Sequence, residues 1–181
     1  MSRRAKRWGA CLLALCAACN PQAPKGTATP TPAPARASTP PPLHITGHGT
    51  PRRPVRETLQ IHNRVEYQLV SRSFESKGAA GKARAVFADA RVTFYDRNGT
   101  TMTAAAPQAI VDQTSNSVTL LGGVHARTST GMTLTCDRLV YDHAAGKLQG
   151  EGNVVITDPK GFRGTGSSFD SDISLSHMRM Q

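Results

Sequence analysis

A chain of 181 residues accommodates one ordinary domain, and its formal charge of +10 suggests a nucleic-acid binder until the charges are placed. Residues 1–56 hold nine basic residues and no acid, whereas residues 57–181 hold 13 basic and 12 acidic ones, so the later part is nearly neutral. It lacks the basic face that a sequence-independent DNA or RNA reader needs, and with aromatics at 5% it offers few stacking platforms, so we expect no nucleic-acid partner.

The chain opens with Arg3, Arg4, Lys6 and Arg7, followed by an apolar run from Trp8 to Ala18, the n-region and h-region of a secretory signal. The run is too short to span a bilayer, which takes about 20 apolar residues. Its end, Leu15-Cys16-Ala17-Ala18-Cys19, resembles a bacterial lipobox and makes Cys19 the candidate lipidation site, although Cys16 stands where such motifs usually carry leucine. An ordinary cleaved signal and a retained anchor are the alternatives for residues 1–19.

Residues 20–56 read as a disordered, proline-rich tether, because ten of the 12 prolines fall between Pro21 and Pro54. His44 and His48 have a spacing that could bind a metal on a helix, but the surrounding Pro and Gly forbid the helix, and no metal or other cofactor is expected. Three of the four cysteines lie in the first 19 residues, so the domain owns only Cys136 and has no internal disulfide; Cys136 reads as a small buried residue.

Residues 57–181 carry a repeat of 30 residues. It brings Met102, Met132 and Phe162 into register, then Ala106, Cys136 and Gly166, then Asp112, Asp142 and Asp172, with Gly122 and Val124 falling on Gly152 and Val154. Within a unit the apolar residues alternate, as in Met132-Thr-Leu134-Thr-Cys136 and Val154-Val-Ile156, and Val65 to Leu69 and Val92 to Phe94 do the same. Period two marks half-buried strands. Turns are expected at Asp96–Gly99, Ser129–Gly131, Asp142–Gly146 and Asp158–Gly161, with the repeated aspartates capping turn backbone rather than forming a catalytic pair. Turns that reverse the chain favour an all-β, antiparallel jelly roll of stacked hairpins over a parallel β-helix.

One face of such a sheet gathers Val92, Phe94, Met102, Met132, Leu134, Leu139, Val154, Ile156, Phe162 and Phe169 among small residues such as Ala104 and Gly164. These side chains either interdigitate as an ordinary core or line a cleft for acyl chains, to which Met and Phe adapt well. The six histidines are dispersed and no polar constellation converges, so no enzyme is expected.

The segments Val92-Thr-Phe94-Tyr95-Asp96-Arg-Asn-Gly99, Leu139-Val-Tyr141-Asp142 and Leu148-Gln-Gly150-Glu-Gly152-Asn-Val154 resemble the LptC and LptA group of lipopolysaccharide-export proteins, the OstA-like family. The resemblance covers residues 57–181 and is stronger to LptC, because one membrane-proximal N-terminus leads into one domain. It implies that lipopolysaccharide, extracted from the inner membrane by an ABC transporter, passes along an apolar groove to an LptA-like protein in the periplasm. The implied localisation is periplasmic, anchored through the N-terminus, with the inner membrane expected and the outer membrane left open by Asn20. A structural or adhesive envelope protein that carries no lipid is the competing reading.

Overall fold

Alternating apolar and polar residues, punctuated by Gly, Pro and Asp turns, give strands and no helix among residues 43–79 and 82–181, which the computed structural model describes. The strands are β1 (Leu43–His48), β2 (Val55–Ile61), β3 (Arg64–Ser71), β4 (Ser73–Gly78), β5 (Arg84–Tyr95), β6 (Thr101–Asp112), β7 (Ser117–Thr128), β8 (Thr133–Asp142), β9 (Lys147–Thr157), β10 (Arg163–Ser171) and β11 (Arg179–Met180). They form one antiparallel sheet that does not close, in the order β1-β4-β5-β6-β7-β8-β9-β10-β11, with β2 and β3 branching from β5. The fold is a β-jelly roll.

The branch at β5 shows how the sheet folds on itself. The first half of β5, Arg84 to Ala88, pairs with β4, and its second half, Arg91 to Phe94, pairs with β3. Between the halves Asp89 takes a positive φ of 51°. The later pairs bend along the same line, with register shifts between Ala105 and Gln108, Leu121 and Val124, Thr135 and Arg138, and Gly166 and Ser168. A bulge bends its strand and sharpens the local twist. Gly122 serves this bend at φ +91°, and the 30-residue repeat puts Gly152 at the equivalent place with φ +75°. Each long strand therefore crosses two leaves. Leaf one carries β1, β4 and the halves of β5 to β10 that lie with them; leaf two carries β2, β3 and the other halves. The 30-residue period corresponds to one strand out and one back, β6 with β7, then β8 with β9.

Short turns close the hairpins at the expected places. Asp112 Oδ1 accepts from the Thr114 amide at 2.8 Å, Asp142 Oδ1 from Ala145 at 3.0 Å and Asp172 Oδ1 from Ser176 at 3.0 Å, which accounts for the repeated aspartates as turn caps. Asp158 Oδ1 does the same for Lys160 and Phe162.

Strands occur within the stretch that proline density marks as a tether. β1 and the start of β2 occupy residues assigned by composition to the tether, so strands are in place from Leu43 and not from residue 57. The prolines are accommodated between the strands, where Pro51 follows Thr50 in a turn closed by two Thr50–Arg53 backbone hydrogen bonds of 3.0 Å. Residues 1–19, read as a signal or anchor with Cys19 as the lipidation candidate, and the proline-rich stretch up to residue 42 lie outside the described residues.

Candidate functional site

Eight of the ten residues assigned to the inner face are fully inside: Val92, Phe94, Met102, Leu134, Leu139, Val154, Ile156 and Phe169. Met132 is half-buried and packs against them. The two leaves meet through these side chains. Phe94 of leaf two lies 4.7 Å from Tyr141 of leaf one between ring centroids, although three strand pairings separate β5 from β8 within the sheet. Phe169 lays its ring over Gly150 so closely that a Cβ there would meet it at 1.9 Å. Small residues on the inner face thus receive aromatic rings and leave no open channel through the middle, where Val92, Phe94 and Leu139 have 0% exposure.

Phe162 departs from the expectation. It is 73% exposed and stands at the rim, outside the apolar interior. The Asp158 carboxylate fixes its amide in the β9–β10 turn, and β11 pairs with Phe169 and Asp170, away from Phe162.

At the opposite end of the sheet the interior opens. A cavity of about 240 Å³ lies between β2 of leaf two and β4 to β6 of leaf one, lined on its apolar side by Val55, Phe74, Ala85, Phe87 and Val111. Phe74 stacks on Phe87 with centroids 5.9 Å apart. On β1, Leu43 and Ile45 share a face with Ser76 and Gly78 of β4 and remain 62% and 44% exposed, which extends the apolar surface outward along an edge that is unpaired among the described residues. Glu57 borders this mouth and accepts a 3.1 Å hydrogen bond from the Tyr67 hydroxyl. Burial raises the Glu57 pKa against the lowering effect of that bond, and burial together with Glu57 pushes the Tyr67 hydroxyl up. Sequence reading missed the mouth because Val55 sits among the tether prolines and Phe74 belongs to a six-residue strand without a repeat partner. The alternation of Glu57, Leu59 and Ile61 was its available signal.

A polar cluster lies where the two leaves meet along one side. Glu66, buried on β3, pairs with the Arg64 guanidinium, and its other oxygen lies 3.9 Å from His143 Nδ1 in the β8–β9 turn of leaf one. Tyr141, Asp96 and Arg97 border the same polar cavity of about 400 Å³. The Tyr141 hydroxyl is pushed up to about 12, first by burial and then by the Glu66 and Asp96 charges. Neither Glu66 nor His143 stood out in the sequence, since a register shift between Leu59 and Gln60 lets two consecutive residues, Glu66 and Tyr67, turn inward.

This doubly leaved sheet with an apolar inner face matches a known family over most of its length. The family described as lipopolysaccharide-assembly, LptC-related, matches residues 57–180. The chain belongs to the LptC-related family. Its match begins within β2, so β1 and the β1–β2 turn precede it. No curated protein matches the chain. Membership in the LptC-related family places the protein in lipopolysaccharide transport.

Among the described residues, Cys136 and His177 stand apart from one another and from the mouth. Cys136 is buried, and its thiol is pushed up to about 12 by burial and by the neighbouring Asp137 charge. His177 Nδ1 lies 3.1 Å from Ser176 Oγ and 3.2 Å from Asp172 Oδ2, so one ring nitrogen faces both and no proton relay can run through the ring. Among the described residues, no group of three His, Cys, Asp or Glu side chains could hold a metal ion, and no helix is long and apolar enough to cross a membrane.

Proposed function

We propose that this LptC-related protein is a periplasmic bridge component: it accepts lipopolysaccharide from an inner-membrane ABC transporter and passes it, acyl chains inward, to an LptA-like protein. The observation that carries this reading is the apolar mouth between β2 and β4 to β6, continuous with the inner face and bordered by the exposed Leu43 and Ile45 on β1. Such a mouth offers acyl chains a way in, and the β1 edge beside it, unpaired among the described residues, suits head-to-tail joining of jelly rolls. The groove set is Val92, Phe94, Met102, Met132, Leu134, Leu139, Val154, Ile156 and Phe169, reached when the leaves part. Cys19 lipidation, or a retained N-terminal segment, supplies the membrane anchor.

The full packing of the inner face favours a second reading, in which the domain is an envelope scaffold that carries no lipid. Mass spectrometry of lipid copurified with the full chain from cells that make lipopolysaccharide separates the two. Stoichiometric lipopolysaccharide that is lost from a folded Leu134→Asp variant supports transport. A lipid-free protein that nevertheless assembles with its envelope partners supports the scaffold.

A further inference from the structure

The outward side of leaf two takes no part in the groove and has a chemistry of its own. Cross-strand register lines up Thr93, Thr103, Arg127, Thr133, Thr157 and Arg163 in one row, and the neighbouring row begins Arg56, Val70, Arg91. Of the 12 carboxylates only Asp89 borders this face, at the bend beside Arg91, and it is paired with Arg72 at 2.6 Å. Glu57 and Glu66 turn inward, Asp96 and Asp158 sit in rim turns, and the others lie on leaf one, at the bend or in the C-terminal segment. Arg56, Arg91, Arg127 and Arg163 consequently have no ion-pair partner among the described residues, whereas on leaf one, where carboxylates are interspersed, Arg138 pairs with Glu151 at 2.8 Å and Lys77 with Glu75 at 2.7 Å. At the rim of the same leaf stands Phe162, 73% exposed, next in sequence to Arg163 and two residues from Lys160.

We infer that this threonine and arginine face docks on an anionic phospholipid surface. The arginines are dispersed: Arg127 and Arg163 are three strand spacings apart, about 14 Å. That spread suits a two-dimensional array of phosphates better than one bound phosphate. Guanidinium groups take phosphate oxygens bidentately, and threonine hydroxyls donate to them without adding negative charge. A protein partner would instead need a central apolar or aromatic anchor, whereas the row through the middle of this face runs Arg91, Ala105, His125, Thr135, with Val70 and Val155 towards its ends and Tyr95 held at the rim by Gln68. Phe162, at the edge, is placed to enter the headgroup layer beside Lys160 and Arg163.

The test uses the full chain reconstituted with phosphatidylglycerol-containing vesicles or with purely phosphatidylcholine vesicles. A photo-crosslinking residue is placed at Thr103 or Thr133 on leaf two, or at Thr119 or Gln149 on leaf one, so that any contribution of the basic N-terminus is common to all four proteins. Phospholipid adducts are expected at Thr103 and Thr133 with anionic vesicles only, falling several-fold as salt rises from about 0.05 to about 0.5 M. They should vanish in an Arg91→Gln, Arg127→Gln, Arg163→Gln variant whose circular dichroism is unchanged. Equal yields from both leaves, yields unaffected by the triple substitution, or capture of an acidic protein in place of lipid in native envelopes would each overturn the inference.

Discussion

Glu57 is a carboxylate turned toward the apolar mouth, and its chemistry predicts a pH dependence. Burial raises its folded-state pKa, with the Tyr67 hydrogen bond opposing. Folding therefore takes up protons at this group, so its contribution to stability is fully present below the unfolded-state pKa and is lost as pH rises through the folded-state value. Glu57→Gln, which keeps an acceptor for Tyr67, should melt higher than the wild type at pH 7. Thermal unfolding across the acid range should show that advantage shrinking as the wild-type carboxyl protonates, and a constant gap would argue against burial as the cause. Single residues were legible where period two holds: Phe94, Leu134 and Phe169 lie inside as alternation requires. Glu66 was not, because the β2–β3 register shift breaks the period locally, and Phe162 was not, because alternation assigns a direction but cannot say whether a neighbouring strand covers it.

At the scale of the element, the bend across β5 to β10 makes two leaves from one sheet. The repeated Gly122 and Gly152 announced it, and their function becomes clear only with the register shifts and the positive φ beside them. Gly122→Val places a β-branched residue at φ +91°, where L side chains are strained, and should destabilise the domain by about 1–3 kcal/mol in urea unfolding. Thr119→Val, on regular backbone of the same strand, should change stability by less than about 0.5 kcal/mol. Comparable losses at both sites would mean that β7 tolerates neither change and that the bend has no special demand. β1 shows the limit of reading composition: proline density marks residues 20–56 as a tether, yet prolines in a turn between strands do not prevent Leu43–His48 from pairing with β4.

For the whole molecule, the all-β class, the hairpin order and the family were legible because a 30-residue repeat preserves turn chemistry and alternation together. The accessible end of the interior was not, since it brings Val55 of β2 together with Phe74, Phe87 and Val111 of β4 to β6, segments distant in sequence and outside the repeat pattern at β2 and β4. Anchoring belongs to the same scale. Cys19→Ser should abolish labelling by a radiolabelled fatty acid and release the protein from membranes; retention without label would point to a kept apolar anchor instead. The central claim, that acyl chains travel between the leaves, is tested most directly by photo-crosslinking in cells that make lipopolysaccharide. The crosslinking residue is placed at Phe74, Phe94, Met132, Leu134, Ile156 or Phe169 on the inward side, and at Glu75 or Asp170 on the outward side of leaf one. Adjacent positions face opposite ways, so lipopolysaccharide adducts should form at the inward set and be absent one residue away. Equal capture by both sets, or none from the inward set of a folded protein, would contradict the account.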